Sequence, residues 1–297
     1  MNTTLDFEAY CRRTGFDGPA APTLGTLRCL IAQHAAAIPF ENIEVLAGRV
    51  PGLDLASLQA KLVQSRRGGY CFEQNRLFMA CLQGLGFAVR PLEARVRAGV
   101  AADVVTARTH MALRVMLEGE DHLVDVGFGG LAPTAPLRLG SRAEQDTGYG
   151  VYRFIDAAGA VLLQARTHAG WSDCYRLGPD DPQPIDFEMG NWWVATHPKA
   201  MLRQNLLVAR KQPDRRLTLF NNQLSTQATL ASVPEQRTLG SRAEFEDVLA
   251  EAFGLAIDSP DLDAVMAVIA RQAAALASAR AAPLPSPLRP SPGDAPS

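Results

Sequence analysis

The chain has 297 residues, about twice the commonest domain size, so two or three structural units sharing a surface are expected, each able to bury a core. Hydrophobic residues at 47% and charged residues at 20% exclude both a disordered chain and one dissolved in a bilayer. With 29 Lys and Arg against 31 Asp and Glu the net charge is -2, and no basic stripe gives a nucleic acid its electrostatic footing.

The opening MNTTLDFEAY carries acidic residues and no apolar segment of the kind a secretory signal needs. No stretch reaches the roughly 18 apolar residues of a membrane span, because Arg271 and Arg280 interrupt the Ala-rich run near 264–282. A cytoplasmic protein with no membrane or nucleic-acid partner is expected. The five cysteines, Cys11, Cys29, Cys71, Cys81 and Cys174, are odd in number and include no CxxC pair. That predicts free thiols, with no disulfide framework and no metal site.

From residue 5 to 86 apolar residues recur at three- and four-residue spacing, as in Leu24, Leu27, Leu30 and Ile31, and predict a helical bundle over 1–86. Its last helix begins at Cys71, carries Phe72, Phe78, Met79, Leu82 and Leu85 on one stripe, and is stopped by Gly84 and Gly86. Past Phe87 the rhythm turns to short alternating or β-branched runs at 88–97, 110–117, 122–126, 151–156, 161–166 and 171–177. Turns such as Glu118-Gly119-Glu120 predict antiparallel hairpins between them, and hence a small barrel or sandwich over 87–184. Residues 185–205, with IDFEMGNWWVATHP, read as a connecting helix. Over 206–280, strands at 217–220 and 227–230 and helices at 242–253 and 262–278 predict a mixed α/β unit. The last 17 residues, 281–297, hold six of the 20 prolines and predict a disordered tail.

The chemistry concentrates in RRGGYCFEQN at 66–75. Cys71 falls in the first turn of a helix, whose positive end favours a thiolate. Gly68 and Gly69 are expected to turn the backbone tightly and leave the sulfur open on one side; a buried packing thiol is the alternative. A thiol nucleophile needs a base, and the base needs an orienter. Of the five histidines, His34 lies on a helix, His122 is expected to be exposed in its hairpin, His168 lies in a loop and His197 precedes a proline. His110 instead begins the apolar strand THMALRVML and shares a face with Ala112, Arg114 and Met116, a face expected to border a cleft.

Asp125 interrupts the apolar run HLVDVGFGG. A buried carboxylate calls for a partner, and the hairpin at 118–120 brings it beside His110; capping the GFGG turn is the alternative reading. Gly127 to Gly130 lack the following helix and lysine of a phosphate cradle and read as a turn beside the site. Phe128 is a candidate wall for an aromatic substrate, or else a plug in the core.

The segments IPFENI at 38–43, RGGYCFEQN at 67–75, THM at 109–111, VDVGFGG at 124–130 and NWWVATHP at 191–198 run in the order found in the arylamine N-acetyltransferases, which this sequence closely resembles. The resemblance implies an α+β multidomain fold with an N-terminal helical bundle, a central antiparallel β-barrel, a C-terminal α/β lid and a papain-like catalytic core. It implies Cys71, His110 and Asp125 as a catalytic triad, with Phe128 and Thr109 among the substrate-binding residues. Arg67 would pair with Glu41 beside Asn42 as structural support, fixing the loop that bears Cys71. Acetyl-coenzyme A is the implied cosubstrate, without a metal, and aromatic amines or hydrazines are the implied acceptors. A homo-oligomer is left open. After His197-Pro198 the family often shows Ser-x-Phe, where this chain has Ala200-Met201-Leu202, so Leu202 stands in for one aromatic wall of the acceptor pocket.

The reaction expected is a two-step exchange through an acetyl-cysteine. Rival readings keep the triad for a thiol amide hydrolase or an amide synthase, or keep only the cleft, as a non-enzymatic binding protein.

Overall fold

The computed structural model describes residues 4–101, 103–157 and 159–281. The proline-rich tail expected over 281–297 lies outside the described residues from 282 onward.

Asp6 caps the first helix, Phe7–Thr14, by accepting from Ala9 N at 2.9 Å, and Gly15 ends it in the left-handed region at φ 78°. Thr23 caps the second, Leu24–Ala37. That helix stops because Pro39 forces the preceding Ile38 into an extended conformation. Phe40–Glu41 then forms a two-residue strand, which the helical periodicity of 5–86 did not predict. It pairs antiparallel with Leu207–Lys211, through Phe40 with Ala209 and Glu41 with Val208.

The helix Cys71–Gly84 packs its apolar stripe into a core with Tyr10, Leu27, Leu30 and Phe87. Met111, Leu113 and Val115 of the strand Arg108–Leu117 enter the same core. The alternate residue Ala112 faces a second core, with Tyr152, Phe154, Leu163 and Tyr175. Burial on both faces explains why THMALRVML lacks a clean apolar and polar alternation.

That second core fills an antiparallel sheet of eight strands, ordered Leu137–Arg138, Glu120–Val124, Arg108–Leu117, Ala88–Val96, Gly170–Leu177, Ala160–Thr167, Val151–Ala157 and Gln145–Asp146. The sheet curls into a nearly closed barrel. Its edge strands meet through the Gln145 side chain, which accepts from Arg138 N at 2.8 Å and donates to Arg138 O at 3.1 Å. Glu118 and Gly119 turn the central hairpin with φ 55° and 81°. The hairpin is not free-standing. His122, expected to be exposed, is buried at 6%, because it lies across from Val115 on the barrel face that the helices cover.

A five-stranded antiparallel sheet follows in the order Phe40–Glu41, Leu207–Lys211, Arg216–Phe220, Gln223–Gln227 and Glu235–Thr238. The strand expected at 227–230 instead covers Gln223–Gln227, because Asn221 turns the chain with φ 51°. The strands Leu207–Lys211 and Glu235–Thr238 were not predicted. The helix Ser259–Ala281 packs Leu262, Val265 and Val268 on this sheet together with Ile43, Leu46 and Phe253. The fold is therefore α+β, with a helical unit, a barrel and a mixed α/β unit.

Candidate active site

Cys71 is the first residue of its helix, so its sulfur sits at the positive end of the helix dipole. Glu73 fastens this end by accepting Tyr70 N at 3.1 Å. The two preceding glycines serve close approach rather than a turn, since neither has a positive φ, which belongs to Arg66 at 54°. A Cβ on Gly68 would stand 2.2 Å from Pro39 O, and one on Gly69 would stand 2.9 Å from Glu73 Oε2. This closeness lets Gly69 N donate to Pro39 O at 3.3 Å and Glu41 N donate to Gly69 O at 3.1 Å. Residue 71 keeps 5% of its surface exposed and counts as buried.

The Cys71 thiol donates to the Thr109 carbonyl at 3.6 Å. Thr109 has no cross-strand partner. The ladder passes from Ala94 opposite His110 to Arg95 opposite Arg108, so Thr109 is the extra residue of a β-bulge. Its contribution is thus a backbone oxygen.

His110 Nε2 and Asp125 Oδ2 are 2.7 Å apart, and both residues are 1% exposed. The carboxylate accepts, so Nε2 carries a proton, and Nδ1 is the ring nitrogen that Asp125 leaves free. Burial lowers the imidazole's proton affinity, but the Asp125 charge, the Asp125 hydrogen bond and Cys71 outweigh it and hold His110 above its ordinary value. Phe128 and Tyr175 clasp the ring, with centroids 4.8 and 4.7 Å from it. Beyond the imidazole, Asp125 Oδ1 accepts from Asn75 Nδ2 at 3.0 Å and Gly127 N at 2.9 Å. One carboxylate therefore both faces the imidazole and caps the glycine turn.

Several residues that organise the site escaped the sequence reading. Asn75 donates to Met111 O at 2.7 Å as well as to Asp125, and accepts Val126 N at 3.2 Å. The signal was its place one turn after Cys71, on the same helix face. Arg216 is 4% exposed and donates to the carbonyls of Gly129, Gly130 and Ala132 at 3.2, 2.6 and 3.0 Å, holding the turn behind Phe128. Gly127 is required by packing, since a Cβ there would lie 2.7 Å from Cys71 Cα.

Arg67 donates to Glu41 Oε1 through Nη2 at 3.0 Å and Nε at 3.2 Å. Asn42 donates to the carbonyls of Leu202 and Asn205 at 2.5 and 2.8 Å and accepts Leu207 N at 2.8 Å, tying the segment after Phe40–Glu41 to residues 202–207. Leu202 packs against the core that contains Cys71 and Phe40. Among the described residues, no group of three or more His, Cys, Asp or Glu is placed to hold a metal, and no helix is long and apolar enough to cross a membrane. The five cysteines are free thiols.

Residues 23–262 match the family model described as N-acetyltransferase. The arylamine N-acetyltransferase of Escherichia coli (strain K12) is 42% identical over 250 residues, which cover 84% of this chain and 88% of that protein. The arylamine N-acetyltransferase / N-hydroxyarylamine O-acetyltransferase of Salmonella typhimurium is 39% identical over 256 residues, 86% of this chain and 90% of its own. The structure of Mycobacterium marinum arylamine N-acetyltransferase in complex with CoA matches with a TM-score of 0.83 at 36% identity, covering 90% of this chain and 99% of that one. Fold and relatives together define an acyltransferase. The chain belongs to the arylamine N-acetyltransferase family.

Proposed function

We propose that the protein moves the acetyl group of acetyl-coenzyme A to the nitrogen of arylamines or arylhydrazines by way of an acetyl-cysteine at Cys71, with His110 and Asp125 completing a triad. The observation that carries this reading is the His110–Asp125 contact of 2.7 Å beside a thiol at a helix start. Acetyl-coenzyme A as donor is supported by the CoA complex of the Mycobacterium marinum relative.

In the first step His110 takes the Cys71 proton and the sulfur attacks the thioester carbonyl carbon. Backbone N–H groups near Cys71, among them those of the helix's first turn, would hold the transient oxyanion. The bond from carbonyl to coenzyme sulfur breaks, and the coenzyme leaves as a thiol with the proton from His110. In the second step the amine nitrogen attacks the acetyl-cysteine carbonyl, its proton passes to His110, and the Cys71 sulfur is released. Asp125 balances the imidazolium in both steps and keeps Nδ1 directed at the sulfur.

The helical unit of 1–86 supplies the nucleophile in this scheme, the barrel of 87–184 supplies His110 and Asp125, and residues 206–280 cover the cleft beyond the connector at 185–205. Phe128 walls the acceptor, Thr109 lends its carbonyl, and Leu202 widens the far side where an aromatic ring is replaced. Arg67, Glu41 and Asn42 fix the loops. The cytoplasm, where thiols stay reduced, suits a cysteine nucleophile.

Intact-protein mass spectrometry with acetyl-coenzyme A and no acceptor tests the proposal. The protein should gain one acetyl group, Cys71→Ala and His110→Ala should gain none, and an arylamine should discharge it. Discharge by water as fast as by amine would favour a hydrolase instead, and acetylation at another cysteine would remove Cys71 from the role.

A further inference from the structure

Residues 67–70, which lead into the helix of Cys71, are held at both ends by one chain of ion pairs. Arg67, bound to Glu41, also donates Nη1 to Asp261 Oδ2 at 3.1 Å. Asp261 meets Arg49 at 2.8 Å, Arg49 approaches Glu44 at 3.7 Å, and Glu44 meets Lys61 at 2.5 Å. Lys61 closes on Glu73 at 2.6 Å, and the other Glu73 oxygen accepts Tyr70 N. The chain thus starts on residue 67 and ends on residue 70.

Of these residues only Asp261 comes from the far end of the sequence, in the first turn of Ser259–Ala281. It is 2% exposed, and its N–H donates to Asp258 Oδ1 at 2.9 Å. Leu262 and Val265, packed with Ile43 and Leu46, fix the helix behind it. The seated helix thus holds the carboxylate between the two guanidinium groups.

We infer that Asp261 is a positioning residue for Cys71, coupling the seating of the C-terminal helix to the loop from which the thiol projects. The inference rests on Cys71 being the nucleophile proposed above. Without this carboxylate Arg67 keeps Glu41 alone, and Arg49, its side chain 49% exposed, keeps only the longer contact with Glu44. Two cations then lack the charge that lay between them. A shift of about 1 Å between sulfur and imidazole is enough to slow chemistry by about 10²-fold. The loss belongs to the acetylation rate rather than to substrate affinity.

The test compares Asp261→Asn, Asp261→Glu and Asp258→Ala, the last removing the oxygen that caps the same helix start while leaving the ion pairs intact. Three quantities are read: iodoacetamide labelling of Cys71 followed by peptide mass, single-turnover acetylation with its KM for acetyl-coenzyme A, and Tm. Asp261→Asn should slow labelling and acetylation by about tenfold with KM unchanged, and Asp261→Glu should recover most of the rate. Asp258→Ala should lower Tm without slowing either reaction. A fall in Tm for Asp261→Asn with both rates unchanged would overturn the inference, as would equal slowing by Asp258→Ala. Should Asp261→Asn fail to fold, Arg49→Gln cuts the same chain near the surface; slower labelling supports the coupling and an unchanged rate overturns it. Failure of the acetyl-transfer reading looks different, for wild-type Cys71 would then be labelled but never acetylated, and the labelling comparison would still decide the role of Asp261.

Discussion

His110 reaches Asp125 diagonally across the barrel ladder. Leu113 stands opposite Val124, so Asp125 continues level with Ala112, yet its Oδ2 lies 2.7 Å from His110 Nε2. Replacing it by Asn keeps the shape and removes the charge that raises the proton affinity of the imidazole. Asp125→Asn is expected to slow single-turnover acetylation by about 10²- to 10⁴-fold. His110 should also titrate lower, as NMR of the ring protons would show.

Asn75 fastens three backbone or side-chain groups, one on the strand Arg108–Leu117 and two just past Glu120–Val124, from one helix position and is fully buried. Asn75→Ala leaves Val126 N–H, Met111 O and one Asp125 oxygen short of a partner. Loss of about 2–4 kcal/mol of unfolding free energy is expected, read from the midpoint of a urea titration.

Two glycines make a matched pair. Gly127→Ala would press a Cβ against Cys71 Cα and Asn75 Nδ2, both at 2.7 Å, whereas a Cβ on Gly84 meets nothing within 4 Å. Gly127→Ala should cost about 2–3 kcal/mol and slow Cys71 labelling, while Gly84→Ala should be neutral or stabilise by up to about 1 kcal/mol. Equal effects from the two substitutions would contradict the close-approach account of the GFGG turn.

His34 should pull stability down at mild acidity, against the opposite pull of Glu73, whose carboxyl is raised to about 7 chiefly by burial. Its Nδ1 lies 2.8 Å from Tyr10 OH and its Nε2 lies 2.7 Å from Gln74 Oε1. Gln74 is oriented by its own NH₂, which donates to Pro39 O at 2.8 Å, so His34 is neutral with its proton on Nε2. Burial, opposed by the Gln74 bond and aided by Arg13, lowers its pKa from 6.5 to about 4. The unfolded chain takes up this proton as pH falls through 6.5 and the folded chain does so only near 4. His34 alone should therefore remove roughly 3 kcal/mol of unfolding free energy over that window, read as the difference between the protein and its His34→Gln variant. His110 acts in a separate window: its raised value gives stability that is complete below 6.5 and is lost as pH climbs toward the folded value. Urea titrations of the protein and of His34→Gln between pH 4 and 7 check the first window, and the variant should lose the acid-side fall.

The helix beginning at Cys71 and the long barrel strands were legible because their periodicity and glycine stops are local. The residues Cys71, His110 and Asp125 could be named for the same reason, each being an anomalous polar group at the start or end of an apolar run. What escaped depends on distant partners. Phe40–Glu41 becomes a strand only by pairing with Ala209 and Val208, and two residues carry no period of their own. Arg216 binds backbone carbonyls of a turn far earlier in the chain, and Asp261 binds two arginines near its beginning; nothing in their flanking sequence marks either role. His122 was misread because a hairpin was imagined in water rather than under helices.

The pairing of Phe40 with Ala209 also orders events during synthesis. The helices and most of the barrel can form while the ribosome is still translating, but the IPFEN segment has no sheet to join until residues near 209 emerge. Gly69 leans on that segment through its bonds to Pro39 and Glu41, so the loop before Cys71 is locked late. A nascent chain thus carries its thiol unaligned until residues near 209, over two thirds of the way along, have been made.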